Sequence, residues 1–205
     1  AAMQLPIDIE SVKGFLHADE GAALHQYAAA SASIGPCLEL GSYCGKSTVY
    51  LGTAARDAGS LVFAVDHHRG SEEHQHGEEY HDPELFDAAA QRMDSLPALR
   101  RTLARAELEA WVVPVVAASA QLGAHWTTPL GMVFIDGGHS LEAAQTDYRN
   151  WSGHVQPGGI LAIHDIFPNP ENGGQAPYTI YQLALASGLF VEVEMRRTLA
   201  ILRRL

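Results

Sequence analysis

Basic residues are scarce in this chain. Thirteen Lys and Arg stand against 24 Asp and Glu, a formal net charge of −11 over 205 residues. That balance argues against a nucleic-acid backbone as partner, because such surfaces are built from clustered cations. Cysteine is almost absent. Cys37 lies in an apolar run and Cys44 in a glycine-rich loop; their spacing makes no metal clip, and two such thiols fit a reduced, cytoplasmic setting. No apolar stretch approaches the roughly 20 residues of a membrane span, so no membrane partner is expected. The first residues also lack the charged-then-apolar order of a secretory signal. Met3 is the expected natural start, behind Ala1-Ala2. No internal repeat or low-complexity linker divides the chain. What is present suits one soluble α/β domain over 1–205: 47% hydrophobic residues, in apolar segments that alternate with polar ones.

The most informative stretch is Glu39-Leu40-Gly41-Ser42-Tyr43-Cys44-Gly45. An apolar run (Cys37, Leu38, Leu40) reads as a buried strand before it, and Lys46-Ser47-Thr48-Val49-Tyr50-Leu51 opens a helix after it. A glycine-rich turn between strand and helix brings backbone N–H groups and a helix N-terminus to a ligand. The turn is not a P-loop. That motif needs four residues between its glycines, whereas Gly41 and Gly45 enclose Ser42, Tyr43 and Cys44, with Leu40 in the first glycine's place. Nor is it a G-x-G-x-x-G dinucleotide fingerprint, since Tyr43 holds the second glycine's place. The pattern that remains is E-x-G-x-x-x-G.

Strands are expected at about 36–40, 61–66, 112–116, 131–136 and 159–164, each apolar on both faces as parallel strands are. Two more, at about 189–194 and 198–203, alternate and read as an antiparallel hairpin around Arg196-Arg197. Helices are expected at about 18–33, 46–57, 84–107 (with a break at Pro97), 140–151 and 177–187, beneath N-terminal helices spanning 8–33 and a core of 36–205. In a doubly wound sheet, ligands sit beyond the carboxyl ends of the strands. Polar residues appear just there: the glycine loop, Asp66-His67-His68, Asp136-Gly137-Gly138-His139 and His164-Asp165. Asp66 ends Leu61-Val62-Phe63-Ala64-Val65 and suits a bidentate acceptor of ribose hydroxyls, the alternative being a turn or N-cap Asp.

The glycine loop and the order of elements resemble the class I S-adenosylmethionine (SAM) methyltransferases over roughly 36–204. The resemblance implies a Rossmann-like, mostly parallel seven-stranded sheet with a C-terminal antiparallel hairpin and helices on both faces. It implies SAM as cofactor, held by Glu39, Gly41, Ser42, Tyr43, Gly45, Ser47, Asp66 and His67, with Asp136 close to the transferred methyl. Ser119, after the third strand, is either an adenine contact or an N-cap for a helix at 120–124. Lys46 has no phosphate to bind and is expected on a helix surface.

Phe134-Ile135-Asp136-Gly137-Gly138-His139 and Ile160-Leu161-Ala162-Ile163-His164-Asp165 resemble the metal-dependent O-methyltransferases, catechol-type and more closely macrocin-type, whose members include enzymes with sugar and natural-product acceptors. The resemblance implies a divalent ion, Mg²⁺ or alternatively Mn²⁺, on Asp136, His164 and Asp165. His164 departs from the family, which has Asp or Glu there. It is a ligand, or a residue behind Asp136 and Asp165, or the site holds no metal and a His acts as general base. His139 is the expected base, with Asp136 beside it. The implied reaction is methyl transfer to a hydroxyl of a small polyhydroxylated or oligosaccharide acceptor. The texture of the chain is similar to an actinobacterial branch acting on the reducing-end 1-hydroxyl of 3-O-methylated mannosides. The runner-up is a metal-independent enzyme acting on a phenol or amine.

Residues 67–83, rich in His and acids, are long for a connection and read as a lid or wall of the acceptor site, with Arg69 and Tyr80 as contacts. Phe167 and Tyr178 are expected at the same mouth, stacking on a sugar or aromatic face. Trp111, Trp126 and Trp151 read as packing anchors. Arg196, Arg197, Arg203 and Arg204 suggest a subunit contact, in a homodimer or higher homo-oligomer. A P-loop NTPase is disfavoured by the glycine spacing, and a noncatalytic SAM-binding module has no need of Asp136, His139, His164 and Asp165 at neighbouring strand ends.

Overall fold

Runs of Val, Ile, Leu and Phe become strands here because both faces of each run find a cover. The computed structural model of the chain describes residues 3–70 and 82–205. Its first helix, α1 (Ala18–Ser31), starts at a capping box: the His17 ring accepts the Asp19 N–H at 3.0 Å, and Glu20 reaches back to the His17 N–H at 3.2 Å. Then follow β1 (Cys37–Leu40), α2 (Lys46–Ala58) and β2 (Val62–Asp66). A two-rung hairpin, β3 (Phe86–Asp87) with β4 (Arg92–Met93), precedes α3 (Leu96–Arg105). The rest is β5 (Val112–Val116), α4 (Ser119–Gly123), β6 (Leu130–Ile135), α5 (Leu141–Trp151), β7 (Val155–Ile163), α6 (Ala176–Ala186), β8 (Phe190–Arg196) and β9 (Leu199–Arg204).

The main sheet runs β5-β2-β1-β6-β7-β9-β8. The first five strands are parallel, and β9 returns antiparallel to β7 with β8 antiparallel to it. This is the seven-stranded, doubly wound sheet with a terminal hairpin that the sequence implies. Alternation along β6 serves two layers at once. Met132 and Phe134 pack with Leu24, Val49, Leu51, Leu99 and Leu103 from α1, α2 and α3. Val133 and Ile135 pack with Ala144, Trp151, Ile180 and Ala184 from α5 and α6. Trp151 is fully buried, its ring 5.4 Å from Trp126, which in turn packs on Phe63. Because β1 and β6 are neighbours while the chain leaves them in opposite directions, a crevice opens beyond their carboxyl ends.

The structure corrects two expectations about the scaffold. The helix expected over 84–107 is a two-stranded hairpin followed by a shorter helix. Asp87 accepts the amides of Ala89 and Ala90 at 3.0 and 3.2 Å, Gln91 takes a positive φ of 56°, and the chain turns into β4. The helix begins only at Leu96, with Pro97 in its first turn, where a missing N–H costs nothing. Second, Lys46 is largely covered instead of lying on a helix surface: its side chain is 12% exposed, lies against Gly14 and pairs with Glu10 at 3.6 Å. Two of the terminal arginines also pair within the chain, Arg197 with Asp19 at 3.0 Å and Arg196 with Glu194 at 2.7 Å. Pro114 occupies the middle of β5, the outermost strand on its side, opposite Ala64. Among the described residues no helix is long and apolar enough to cross a membrane.

Candidate active site

The crevice, of about 600 Å³, is lined from the first strand by Leu40, Gly41, Ser42 and Tyr43 and from α2 by Lys46 and Ser47. Gly41 and Gly45 take φ of 90° and 100°, which glycine adopts without strain. A Cβ on Gly41 would stand 2.1 Å from the Asp136 carbonyl oxygen, so glycine is required where the exits of β1 and β6 touch. Ser42 Oγ is buried in this wall with no partner among the described residues. Among the described residues no side chain caps the N-terminus of α2.

Glu39 stands behind the wall and is not one of its lining residues. Fully buried, it accepts the hydroxyls of Ser47 and Thr48, the latter at 2.5 Å. Burial pushes its carboxyl up to about 7; the two hydroxyls oppose that shift, and the Asp136 and Asp66 charges add to it. Glu39 therefore acts on the crevice through Ser47 and the helix start.

Asp66 does line the crevice. Its Oδ2 accepts the Tyr43 N–H at 2.9 Å and its Oδ1 the His68 N–H at 2.8 Å, leaving one lone pair on each oxygen. His67 is exposed on the wall and accepts the Arg69 N–H at 2.9 Å. Ser119 is the first residue of α4, whose N-cap is Ala118, so its N-cap role is excluded. Its hydroxyl instead donates to Asp147 at 2.5 Å. Asp147, on α5, is a lining residue that the sequence reading missed; burial raises its carboxyl pKa and the Ser119 bond lowers it. The only sequence signal for it was an acid on the apolar side of an amphipathic helix.

Asp136, His139 and Asp165 meet in the crevice. One ligand-type atom from each lies within 4.8 Å of the others, and His139 Nε2 is 3.3 Å from Asp165 Oδ2. Asp165 adopts φ 64°, a conformation that Asp tolerates better than most residues. His164 is placed differently from the expected ligand role. Its Nδ1 faces Asp136 Oδ1 at 3.2 Å and its Nε2 faces Glu20 Oε1 at 3.0 Å, so neither nitrogen offers a free lone pair to a metal. Burial disfavours charge on this ring, but Asp136, Glu20 and Asp165 outweigh it and push its pKa up to about 11. Burial likewise opposes ionisation of Glu20, yet its bonds to His164 and Thr198 hold it down to about 2. Asp136 is raised by burial, with His164 opposing.

A family model described as a methyltransferase domain matches residues 38–166, which hold the glycine loop, Asp66, Asp136, His139, His164 and Asp165. The chain belongs to the methyltransferase domain family. SAM is the cofactor of this class of enzyme, and the crevice fits it through the unpartnered Ser42 hydroxyl, the side-chain-free approach at Gly41 and the open acceptor positions of Asp66. Solved structures share the methyltransferase's fold. The O-methyltransferase NovP is 15% identical over 91% of this chain and 79% of its own, with a TM-score of 0.68. The O-methyltransferase TomG from Streptomyces achromogenes, in complex with SAM, is 13% identical over 93% and 81%, with a TM-score of 0.63. An O-methyltransferase from Bacillus cereus in complex with SAH is 14% identical over 96% and 86%, with a TM-score of 0.62.

Of the expected acceptor contacts, Phe167 lines the methyltransferase's crevice, with Gly173 packed on its ring, and His139 lies beside it. Tyr178 does not line it: on α6 it packs against the core and stacks on Tyr181 at 5.9 Å. The Arg69 guanidinium turns to the Met93 carbonyl at 3.2 Å. Tyr80, and the lid expected around it, lie outside the described residues. Lys13-Gly14-Phe15-Leu16, for which the sequence carried no signal, also lines the crevice. Lys13 reaches across to Asp82 at 2.6 Å and also pairs with Glu84.

Proposed function

We propose that this methyltransferase moves a methyl group from SAM to a hydroxyl of a small polyhydroxylated acceptor, a sugar or short oligosaccharide. The observation that supports the reading is the convergence of Asp136, His139 and Asp165 in the crevice. SAM, when bound, supplies an electrophilic methyl group. The chain's part is to hold the acceptor oxygen in line with that carbon, exclude water and accept the hydroxyl proton. Similarity to enzymes named as O-methyltransferases supports oxygen as the acceptor atom. Within the sugars, the resemblance of the sequence favours a 3-O-methylated mannoside, methylated at its reducing-end 1-hydroxyl.

Two carboxylates and an imidazole are a donor set that fits a divalent ion, Mg²⁺ or more readily Mn²⁺ given the nitrogen ligand. Asp136, Asp165 and His139 would hold it, with His164 behind them. Such an ion lowers the pKa of a bound hydroxyl. A second reading is favoured by the 3.3 Å contact between His139 Nε2 and Asp165. In it no ion is needed: Asp165 orients the imidazole, which takes the proton.

Calorimetric titration with S-adenosylhomocysteine, in EDTA and then with Mg²⁺ or Mn²⁺, tests both. Cofactor binding plus a separate ion signal, lost in Asp136→Ala, supports the metal reading; turnover of a mannoside panel that EDTA abolishes and Mn²⁺ restores completes it. Turnover indifferent to EDTA selects the His139 base. Absence of cofactor binding refutes the proposal.

A further inference from the structure

His164 is the residue at which this chain departs from the acids expected beside Asp165, and the structure supplies it with a partner 144 residues away. Its ring is 4% exposed and sits between two carboxylates, Asp136 at 3.2 Å and Glu20 at 3.0 Å, with Asp165 at 3.7 Å. Each ring nitrogen therefore faces a carboxylate oxygen within hydrogen-bond distance, and the buried ring couples Glu20 to Asp136.

Glu20 is itself 4% exposed and is held from every side. Its Oε1 accepts the His17 N–H, and its Oε2 accepts the Thr198 N–H at 3.0 Å and the Thr198 hydroxyl at 2.7 Å. The carboxylate therefore joins the start of α1 and the β8–β9 turn to the end of β7. Glu20 and Thr198 lie outside the residues that the family model matches.

We propose that Glu20 is a positioning residue of the active site: through His164 it fixes Asp136 so that one carboxylate oxygen is committed to the imidazole and the other is presented to the crevice. The N-terminal helix is thus part of the catalytic apparatus. This rests on the reading of Asp136 as a reacting-end carboxylate, and the test separates the two.

Glu20→Gln, Glu20→Asp and Thr198→Val are compared with wild type in the full chain. Gln matches the shape of Glu but leaves one donor facing a donor, whichever way its amide turns. Asp keeps the charge and draws it back from His164. Thr198→Val removes one bond to the same carboxylate on the side away from His164. For Glu20→Gln the expected result is a kcat lowered about 10- to 100-fold and Mn²⁺ affinity, read by electron spin resonance, lowered in parallel, as for other groups that orient a ligand. KM for SAM stays unchanged. Glu20→Asp loses less, and Thr198→Val loses stability toward urea but keeps kcat. Wild-type kcat and Mn²⁺ affinity in both Glu20 variants overturn the proposal alone. So does an equal loss of kcat in Thr198→Val, which reduces Glu20 to a structural tie. Wild type that neither turns over a sugar panel nor binds Mn²⁺ overturns the functional reading, and this proposal with it.

Discussion

Asp66 holds the glycine loop from below: its Oδ2 accepts the Tyr43 amide at 2.9 Å, across 23 residues of sequence. One carboxylate thereby fixes the loop's backbone and faces the same crevice with its remaining lone pairs. Asp66→Ala removes both effects at once. S-adenosylhomocysteine affinity should fall at least about tenfold, the factor that about 1.4 kcal/mol represents, by calorimetry. An unchanged dissociation constant would remove Asp66 from the cofactor site.

Gly41 and Gly59 share a left-handed backbone but not their surroundings. A Cβ at Gly41 meets the Asp136 carbonyl at 2.1 Å, whereas one at Gly59 meets nothing within 4 Å. Gly59→Ala should therefore cost only the conformational term, roughly 1 kcal/mol. Gly41→Ala adds displacement of β6's exit and should cost on the order of 3 kcal/mol or more. Urea unfolding of the two variants checks the ordering, and equal losses would contradict the close approach.

Glu39 gives the ligand-free protein a predictable pH dependence. Its carboxyl is raised from 4.5 to about 7, first by burial. A raised carboxyl contributes stability that is fully present below its unfolded pKa and is lost as pH rises through the folded one. Stability should thus fall between about pH 4.5 and 7, and Glu39→Gln should flatten that slope. Urea midpoints across this range, for both proteins, make the comparison. A slope that survives in the variant assigns the dependence to another group.

Asp136 and Asp165 should separate chemistry from cofactor binding. The residues proposed to face SAM lie at the ends of β1 and β2 and at the start of α2, whereas these two acids lie at the ends of β6 and β7. Asp136→Ala and Asp165→Ala should lower transfer by about 100-fold or more while leaving S-adenosylhomocysteine binding largely intact. Equal loss of both functions would show that the division does not exist.

The sheet was legible because each parallel strand is apolar on both faces and stops at a polar residue; Phe134-Ile135-Asp136 shows the pattern within three positions. The glycine loop was legible through spacing alone. What escaped depends on distance or on local competition. Ala88-Ala89-Ala90 favours helix by propensity, yet the Asp87 side chain captures two of its amides and makes a turn. No spacing rule links Glu20 to His164, whose pairing arises only when α1 crosses the end of β7. Tyr178 was assigned to the crevice mouth because it follows a polar loop, but helical rotation turns it toward Tyr181 and the core. Asp147 reads as one more polar residue on α5 until Ser119 is seen beside it.

Pro114 limits what can pair with this edge of the sheet. With a residue that has no amide hydrogen at the centre of its outermost strand, β5 is a poor template for another molecule's strand, even though Leu61, Val113 and Val116 leave apolar surface nearby. The fold is thereby guarded at this edge against the open-ended strand stacking that leads to fibres.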